Sequence, residues 1–288
     1  MLIGIIGVGF VGNAIHKSFI KNKIDTVVYD KYKQIGSFES VLKTEIIFLC
    51  LPTNLNNNKI LDKTEIVKTC NELNLNNFEG LIVIKSTIEP TTTDFLAKNF
   101  PDLNFIHNPE FLTARTAEDD FHKQSHIVLG KSESCPEQYL NILKNFYNKY
   151  YPNAKISVCS SIESESMKIF CNSFYSVKVQ FFNELYDFCQ KINIDYEKVK
   201  ELMLKNNWIN PMHTNVPGHD GKISYGGMCL PKDSEALLNC MKDFKSAHSI
   251  LEASIKERNL MRNKENKLQN ENNYTSDSNI VWGVHEIT

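Results

Sequence analysis

"LIGIIGVGFVGNAIHKSF", residues 2–19, is the stretch on which the fold turns. Its first six residues are apolar, the composition of a buried strand. Gly7, Gly9 and Gly12 follow at G-x-G-x-x-G spacing around Phe10 and Val11, and the residues beyond them open a helix. Glycines so placed permit a tight turn and let the backbone approach a pyrophosphate, to which the helix N-terminus offers N–H groups and a positive dipole end. Asp30 closes the next apolar run, eighteen residues past Gly12. A carboxylate there accepts hydrogen bonds from a ribose 2′-hydroxyl and repels a 2′-phosphate. NAD is therefore the expected cofactor rather than NADP, a preference that Lys31 and Lys33 soften without reversing. No basic region precedes the apolar residues, which run straight into the glycines, so the stretch reads as a strand and not as a signal peptide.

The alternation continues outward. Apolar runs at 26–30, 45–51, 81–87, 104–110 and 126–130 predict further strands, and 10–22, 62–73 and 135–150 predict helices between them. Near-continuous apolar strands are what a parallel sheet covered on both faces requires. The expectation is an α/β fold, a Rossmann-type doubly wound parallel sheet over residues 1–159. Past residue 160 the pattern changes. Residues 160–192 read as one long helix on which Met167, Phe170, Phe174, Val177, Phe181, Leu185 and Phe188 recur at three- and four-residue steps. That stripe suits a helix buried on much of its circumference, within one chain or against a second. Helices at 195–206 and 233–262 complete an all-α domain over 160–263 built on the long central helix. From Lys264 the composition turns polar and Asn-rich, which predicts a tail over 264–288.

With 288 residues, 42% hydrophobic and 23% charged, the chain is enough for one large or two medium domains with real cores. A net charge of −2 supplies no general basic field for nucleic acid or an acidic membrane, and no apolar run is long enough to span a bilayer. The eight cysteines are scattered, with no C-x-x-C pair and no clustering with histidine. They predict thiols in a reducing, cytoplasmic compartment, no metal site, and mostly small buried hydrophobes.

Four segments are unusual for a plain core. KSTIEP (85–90) and HNPEFLTARTAEDDF (107–121) stand at strand ends, where ligands collect in open α/β sheets, and bring forward Thr87 and Glu110. In ESESMKIFCNSF (163–174), Lys168 and Asn172 are four residues apart and share a helix face with Asn183, for which a solvated face is the plain alternative. SYGGMCLPKD (224–233) is either a turn whose cysteine fills a gap or a cysteine nucleophile with a cation and an anion in reach.

GVGFVG, Asp30, LPTN (51–54), KST, NPEFL, the Lys168–Asn172 pair, FFNE (181–184) and VPGHDGKISYGGMCLPKD (216–233) occur here in an order that resembles the UDP-glucose/GDP-mannose dehydrogenase family over residues 1–262. The resemblance implies a two-step, NAD-dependent oxidation of a nucleotide sugar's C6 alcohol to the carboxylate, without release of the aldehyde. It assigns Cys229 as the nucleophile, and the chemistry agrees. A thiolate attacks an aldehyde readily and leaves a thioester readily, and a nearby ammonium favours the thiolate. Lys168, Asn172 and a water held by Asp233 would stabilise the developing oxyanion. Glu110 with Thr87 would act as general base or water-positioner. Phe10, Val11, Thr53, Thr87 and Lys232 would contact the cofactor, and Glu110, Phe111, Leu112, Lys168, Asn172 and Gly226 the substrate. The resemblance also implies a homodimer paired through the long helix.

Three departures qualify it. Ala114 stands where the family commonly has a second glutamate. Ser224 opens a turn that the family opens with glycine, at a cost of about 1 kcal/mol if φ is positive there. The family's usual third α/β domain is expected to be missing from a chain that stops at Thr288. Two other readings stay open: an NAD-binding relative or split-enzyme subunit without turnover, and a one-step 3-hydroxyacid-type dehydrogenase. Cys229 argues against the latter, since one-step oxidation needs no covalent intermediate.

Overall fold

The computed structural model describes residues 1–113 and 115–268. Ala114 and most of the expected tail, 269–288, lie outside the described residues. The described residues form seven strands and ten helices. They divide into two compact units, Met1–Asn56 with Leu61–Lys168, and Asn57–Ile60 with the chain from Ile169 onward.

The first unit begins with β1 (Ile3–Ile6), α1 (Phe10–Lys21), β2 (Thr26–Tyr29), the short α2 (Phe38–Val41) and β3 (Ile46–Leu49). It continues through α3 (Thr64–Leu75), β4 (Leu81–Ile84), α4 (Thr92–Asn99), β5 (Asn104–His107), α5 (Ala117–His122), β6 (His126–Lys131), α6 (Glu137–Tyr150) and β7 (Lys155–Ser160). The sheet order is β2-β1-β3-β4-β5-β6-β7. Chain direction away from β1 reverses between β2 and β3, which leaves a crevice at the carboxyl ends of β1 and β3. β1, β3 and β4 are buried along their whole length because successive side chains enter different cores. Phe48 packs with Phe19 and Phe146 on one face, while Ile47 and Leu49 join Ile66, Ile82 and Phe105 on the other. The doubly wound expectation is met.

Two details differ from it. β6 pairs antiparallel to β5, with Ile106 opposite Lys131 and His107 opposite Gly130. The connection over 108–125 carries only the six-residue α5, too short a helix to return the chain along the sheet for a parallel entry. β7, an edge strand parallel to β6, lay outside the predicted strands because its side chains are mostly half-exposed or exposed and its apolar run is broken.

The long helix α7 (Ser161–Lys191) begins in the first unit and continues in the second, which adds α8 (Tyr196–Leu204), α9 (Leu230–Asp243) and α10 (Ser249–Leu268). The single helix expected over 233–262 is two helices. Lys245 adopts a left-handed φ of 54°, and Phe244 and Ser246 close the end of α9 by donating to the carbonyls of Cys240 and Met241. No glycine or proline marks that break, so the sequence pattern runs through it.

Much of the apolar stripe of α7 faces outward, although its Leu185 packs with the buried Phe182 and Cys189. Phe170, Phe174, Phe181 and Phe188 are 48–63% exposed. Its buried side chains include Ser164, Glu165, Lys168, Asn172, Ser176, Gln180 and Asn183. The solvated-face alternative for Lys168 is thereby overturned, and the polar face of this helix is the interior one. No helix among the described residues is long and apolar enough to cross a membrane.

Candidate active site

The glycine loop sits where β1 hands over to α1. The Gly7 N–H donates to Tyr29 O and the Cys50 N–H to Ile6 O, both at 2.8 Å, so the loop leaves over the ends of β2 and β3. Gly7 has φ +89° and no room for a side chain, a Cβ there falling 2.5 Å from Cys50 O. At Gly12 a Cβ would lie 1.9 Å from Gly7 O. Gly9 is different: a Cβ there meets nothing within 4 Å. Gly9 caps the first turn of α1, which begins at Phe10 and Val11 and carries no acidic residue. Open space at Gly9, beside a helix start, fits a dinucleotide's pyrophosphate. Asp30 follows β2 and accepts from the Val8 N–H at 2.8 Å and from the N–H groups of Lys33 and Tyr32 at 3.0 and 3.1 Å. Lys33 returns its ammonium to Val8 O at 2.8 Å. Farther along the sheet, Thr53 donates to Thr87 O at 2.7 Å and Ser86 to Leu51 O at 2.6 Å, which ties the ends of β3 and β4 together.

A dry polar cluster lies at the ends of β4 and β5. Lys85 is 2% exposed. Its ammonium donates to Asn108 Oδ1 at 3.0 Å and Pro109 O at 3.4 Å and faces the Phe121 ring at 5.5 Å. Burial lowers its pKa to about 8, against partial compensation from Cys50 and Glu110. Asn108 also accepts from Tyr147 Oη at 2.5 Å and donates to Val128 O at 2.8 Å. The next residues turn toward α7. Lys168 Nζ donates to Glu110 O at 2.6 Å, pairs with its carboxylate at 3.3 Å and lies 5.3 Å from the Phe111 ring. The other Glu110 oxygen accepts from the Leu112 N–H at 2.5 Å. Lys168 and Glu110, far apart in sequence, are thus a buried pair. Two further groups support this end of α7. His107 shares a 2.8 Å bond with Ser164 and is held neutral by burial, its pKa lowered to about 3. Glu165 accepts the N–H groups of Thr91 and Thr93 at 2.7 Å each, and burial raises its pKa to about 7.

The second unit holds the cysteine. Cys229 caps α9 from its N-terminal side, and Pro231 follows within the first turn. Its position at the positive end of the helix dipole favours negative charge on sulfur. All eight cysteines fall in the described residues, none is in a disulfide, and Cys229 alone is exposed. Burial pushes the thiol pKa of Cys50 and Cys70 to about 12 and that of Cys135 to about 11, as befits packing residues. One turn past Cys229, Asp233 is fully buried. It accepts from Asn172 Nδ2 and from Lys232 Nζ, each at 2.6 Å. Ser176, which donates to Asn172 O at 3.0 Å, meets Ser234 at 2.8 Å and so joins α7 to α9. Before the cysteine, Gly227 has φ +82°, and a Cβ at Gly226 would lie 2.7 Å from both Arg262 Nη2 and Asp220 Oδ2.

Sequence reasoning passed over several residues of these clusters. Lys85, Asn108 and Tyr147 read as strand or helix residues of an apolar core. Arg258 and Arg262 sit in a stretch whose composition reads as a solvated helix. Only the place of Lys85 in the KSTIEP segment offered a signal, since a lysine within an apolar run must find partners.

Residues 31–151 match the NAD binding domain of the UDP-glucose/GDP-mannose dehydrogenase family, and residues 162–259 match its central domain. The chain belongs to this family. Among curated members, a UDP-glucose 6-dehydrogenase of Rickettsia prowazekii is 33% identical over 186 residues, 62% of this chain and 41% of that enzyme. One from Campylobacter jejuni is 26% identical over 92% of this chain and 73% of its own length. The chain thus spans about two fifths of the length of the first curated dehydrogenases it matches. The family fold recurs in a UDP-glucose dehydrogenase from Pyrobaculum islandicum, with TM-score 0.82, 20% identity and coverage of 93% of this chain and 70% of that one. It recurs also in a 3-hydroxyisobutyrate dehydrogenase of Mycobacterium tuberculosis, with TM-score 0.66, 14% identity and coverage of 88% of this chain and 91% of that one. The dehydrogenase family's NAD binding domain makes NAD the cofactor of the sheet unit, in keeping with the open space at Gly9.

Proposed function

We propose that the chain is an NAD-dependent nucleotide-sugar 6-dehydrogenase that oxidises a UDP-glucose-like C6 alcohol to the acid in two steps. One observation carries the reading: the single exposed thiol of eight caps α9 one turn from a buried Asp233 held by Asn172 and Lys232. The glycine loop with Phe10, Val11 and Asp30, and Thr53, Thr87 and Lys232, hold the cofactor. NAD held there would supply the hydride acceptor for each oxidation.

In the second oxidation Cys229 Sγ adds to the C6 aldehyde, and the carbonyl oxygen gains a proton as the thiohemiacetal forms. Asn172, a water on Asp233, and Lys168 stabilise the negative charge on that oxygen. Loss of hydride from C6 and of the hydroxyl proton leaves a thioester on sulfur. Water then adds to the thioester, the C–S bond breaks, and the thiol is restored with the carboxylate as product. Glu110, assisted by Thr87, orients and deprotonates that water, and Phe111, Leu112 and Gly226 contact the sugar nucleotide. The exposed phenylalanines of α7 support a homodimer paired along that helix, and eight thiols without a disulfide suit a reducing cytoplasm.

A one-step oxidation is the second reading, favoured by the 91% coverage of a 3-hydroxyacid-type enzyme. A single experiment separates the two. The chain is mixed with NAD and, in turn, UDP-glucose, GDP-mannose and UDP-N-acetyl sugars, and NADH is read at end point. Two NADH per sugar, with no acid formed by Cys229→Ser, is the expected result. One NADH per substrate, unaffected by Cys229→Ser, moves the assignment to one-step oxidation. NAD binding without reduction by any sugar overturns both.

A further inference from the structure

The turn that leads into Cys229 is gripped by two arginines that neither the motif pattern nor the mechanism uses. Arg262 on α10 donates from Nη2 to Ser224 O at 2.9 Å and pairs through Nη1 with Asp220 at 2.7 Å. One turn earlier, Arg258 Nε donates to Tyr225 O at 3.1 Å, and its guanidinium faces the Tyr225 ring at 5.6 Å. The other side of the turn is fixed from α7, where Asn183 Oδ1 accepts the Ser224 N–H at 2.6 Å and Gln180 Oε1 the Ser224 hydroxyl at 2.5 Å. Every polar group of Ser224 is therefore tied to a helix, at a residue with a left-handed φ of 62°. The contact is close enough that a Cβ at Gly226 would push the Arg262 guanidinium aside. The arrangement is not optimised for the arginine itself, whose Nε is buried without a hydrogen-bond partner. A native structure keeps such a group where geometry matters more than its own satisfaction.

We propose that Arg262, with Arg258, is a positioning residue: it holds the backbone of residues 224–226 so that Sγ of Cys229 stays at the N-terminus of α9. This rests on Cys229 being the nucleophile of the proposed oxidation. With the grip released, the Ser224–Tyr225 backbone loses its cationic ties, the turn moves, and the thiolate loses its place at the helix dipole. The arginines act through the turn, by their bonds to the Ser224 and Tyr225 carbonyls.

The test uses the full chain and does not need turnover. Wild type, Arg262→Lys and Arg262→Ala are exposed to iodoacetamide at neutral pH, and alkylation of each cysteine peptide is timed by mass spectrometry. A charge-assisted hydrogen bond of the ordinary strength sets the expected effect at about a tenfold slower reaction at Cys229 in Arg262→Ala. Cys159, Cys171 and Cys240, which are partly exposed, should keep their rates, and added guanidinium should restore that of Cys229. Arg262→Lys should fall between, since an ammonium can hold one of the two acceptors but not both. In the oxidation assay kcat should drop and the KM for NAD should not. An unchanged Cys229 rate in both variants overturns the proposal, as does a common change at all partly exposed cysteines in Arg262→Lys. If wild type makes no NADH, the oxidation reading fails while the alkylation result still decides whether the arginines position the thiol.

Discussion

The cluster around Lys85, Asn108 and Glu110 and the turn around Cys229 both hold polar groups in fixed places, and they do so by different means. The first is built on strand ends. Its backbone leaves a sheet buried on both faces, and its charges are dry, with Lys168 and Glu110 at 5% and 9% side-chain exposure. The second has no sheet under it. Its residues are fixed by side chains reaching in from α7 and α10, and Cys229 itself is exposed. Charges in the first cluster are costly to separate, because nothing replaces a lost partner. Ties in the second are individually modest, and the turn depends on several acting together.

The largest expected effect follows from the dry pair. Lys168→Met leaves the buried Glu110 carboxylate without its ion-pair partner, and should lower the stability of the sheet unit by about 3–5 kcal/mol in urea unfolding. Combining it with Glu110→Gln should recover a large part of that loss, because the stranded charge is removed. The matched change at the cysteine turn, Lys232→Met, should cost less, about 1–3 kcal/mol, since Lys232 is nearer solvent and the buried Asp233 keeps Asn172. Equal losses at the two sites, or a double variant as unstable as Lys168→Met alone, would erase the contrast.

A middle-sized effect is a pH dependence. Glu165 titrates near 4.5 when unfolded and near 7 when folded, because burial disfavours its charge more than the Thr91 and Thr93 N–H groups favour it. Between those values the native state binds the extra proton. Stability from this group is therefore full below about 4.5 and is lost as pH rises through about 7, a contribution on the order of 3 kcal/mol. Buried His107 has the opposite sign, its folded pKa near 3 against an ordinary 6.5, so the two oppose each other in mildly acid solution. Subtracting the stability curve of Glu165→Gln from that of wild type isolates the carboxyl. A flat difference between pH 5 and pH 7 would show that the hydrogen bonds, and not the burial, govern it.

How legible these regions were in the sequence follows from the same contrast. The strands, the glycine turn and Asp30 could be read because apolar runs and glycine spacing are local signals. The role of the face of α7 could not. Periodicity locates the phenylalanines, but whether Lys168, Asn172 or Gln180 faces inward is decided by Glu110, Asp233 and Ser224, 58, 61 and 44 residues away. The antiparallel entry of β6 and the break at 244–248 were missed for a related reason, since no residue type announces either. Cys229 was singled out by its neighbours in a motif; its exposure, which separates it from the other seven thiols, required the fold.

The smallest effect concerns Ser224. Its φ of 62° is the left-handed conformation that a glycine adopts freely, so Ser224→Gly should relieve about 1 kcal/mol of backbone strain. The same change removes the hydroxyl that donates to Gln180 at 2.5 Å, a buried bond worth about 1 kcal/mol, and leaves Gln180 Oε1 without that donor. It also returns flexibility to the unfolded chain, a further loss of up to about 1 kcal/mol. The net change in stability should be a loss of no more than about 1 kcal/mol by thermal or urea unfolding. Ser224→Ala keeps the strain and loses the bond, a loss of about 1 kcal/mol, so it should be no more stable than Ser224→Gly. If glycine instead stabilises the chain clearly, the hydroxyl tie contributes little, and the turn before Cys229 is held by the arginines and Asn183 alone. If alanine and glycine are equally harmful, the added freedom of the unfolded chain cancels the strain that glycine relieves, and the lost bond to Gln180 sets the cost.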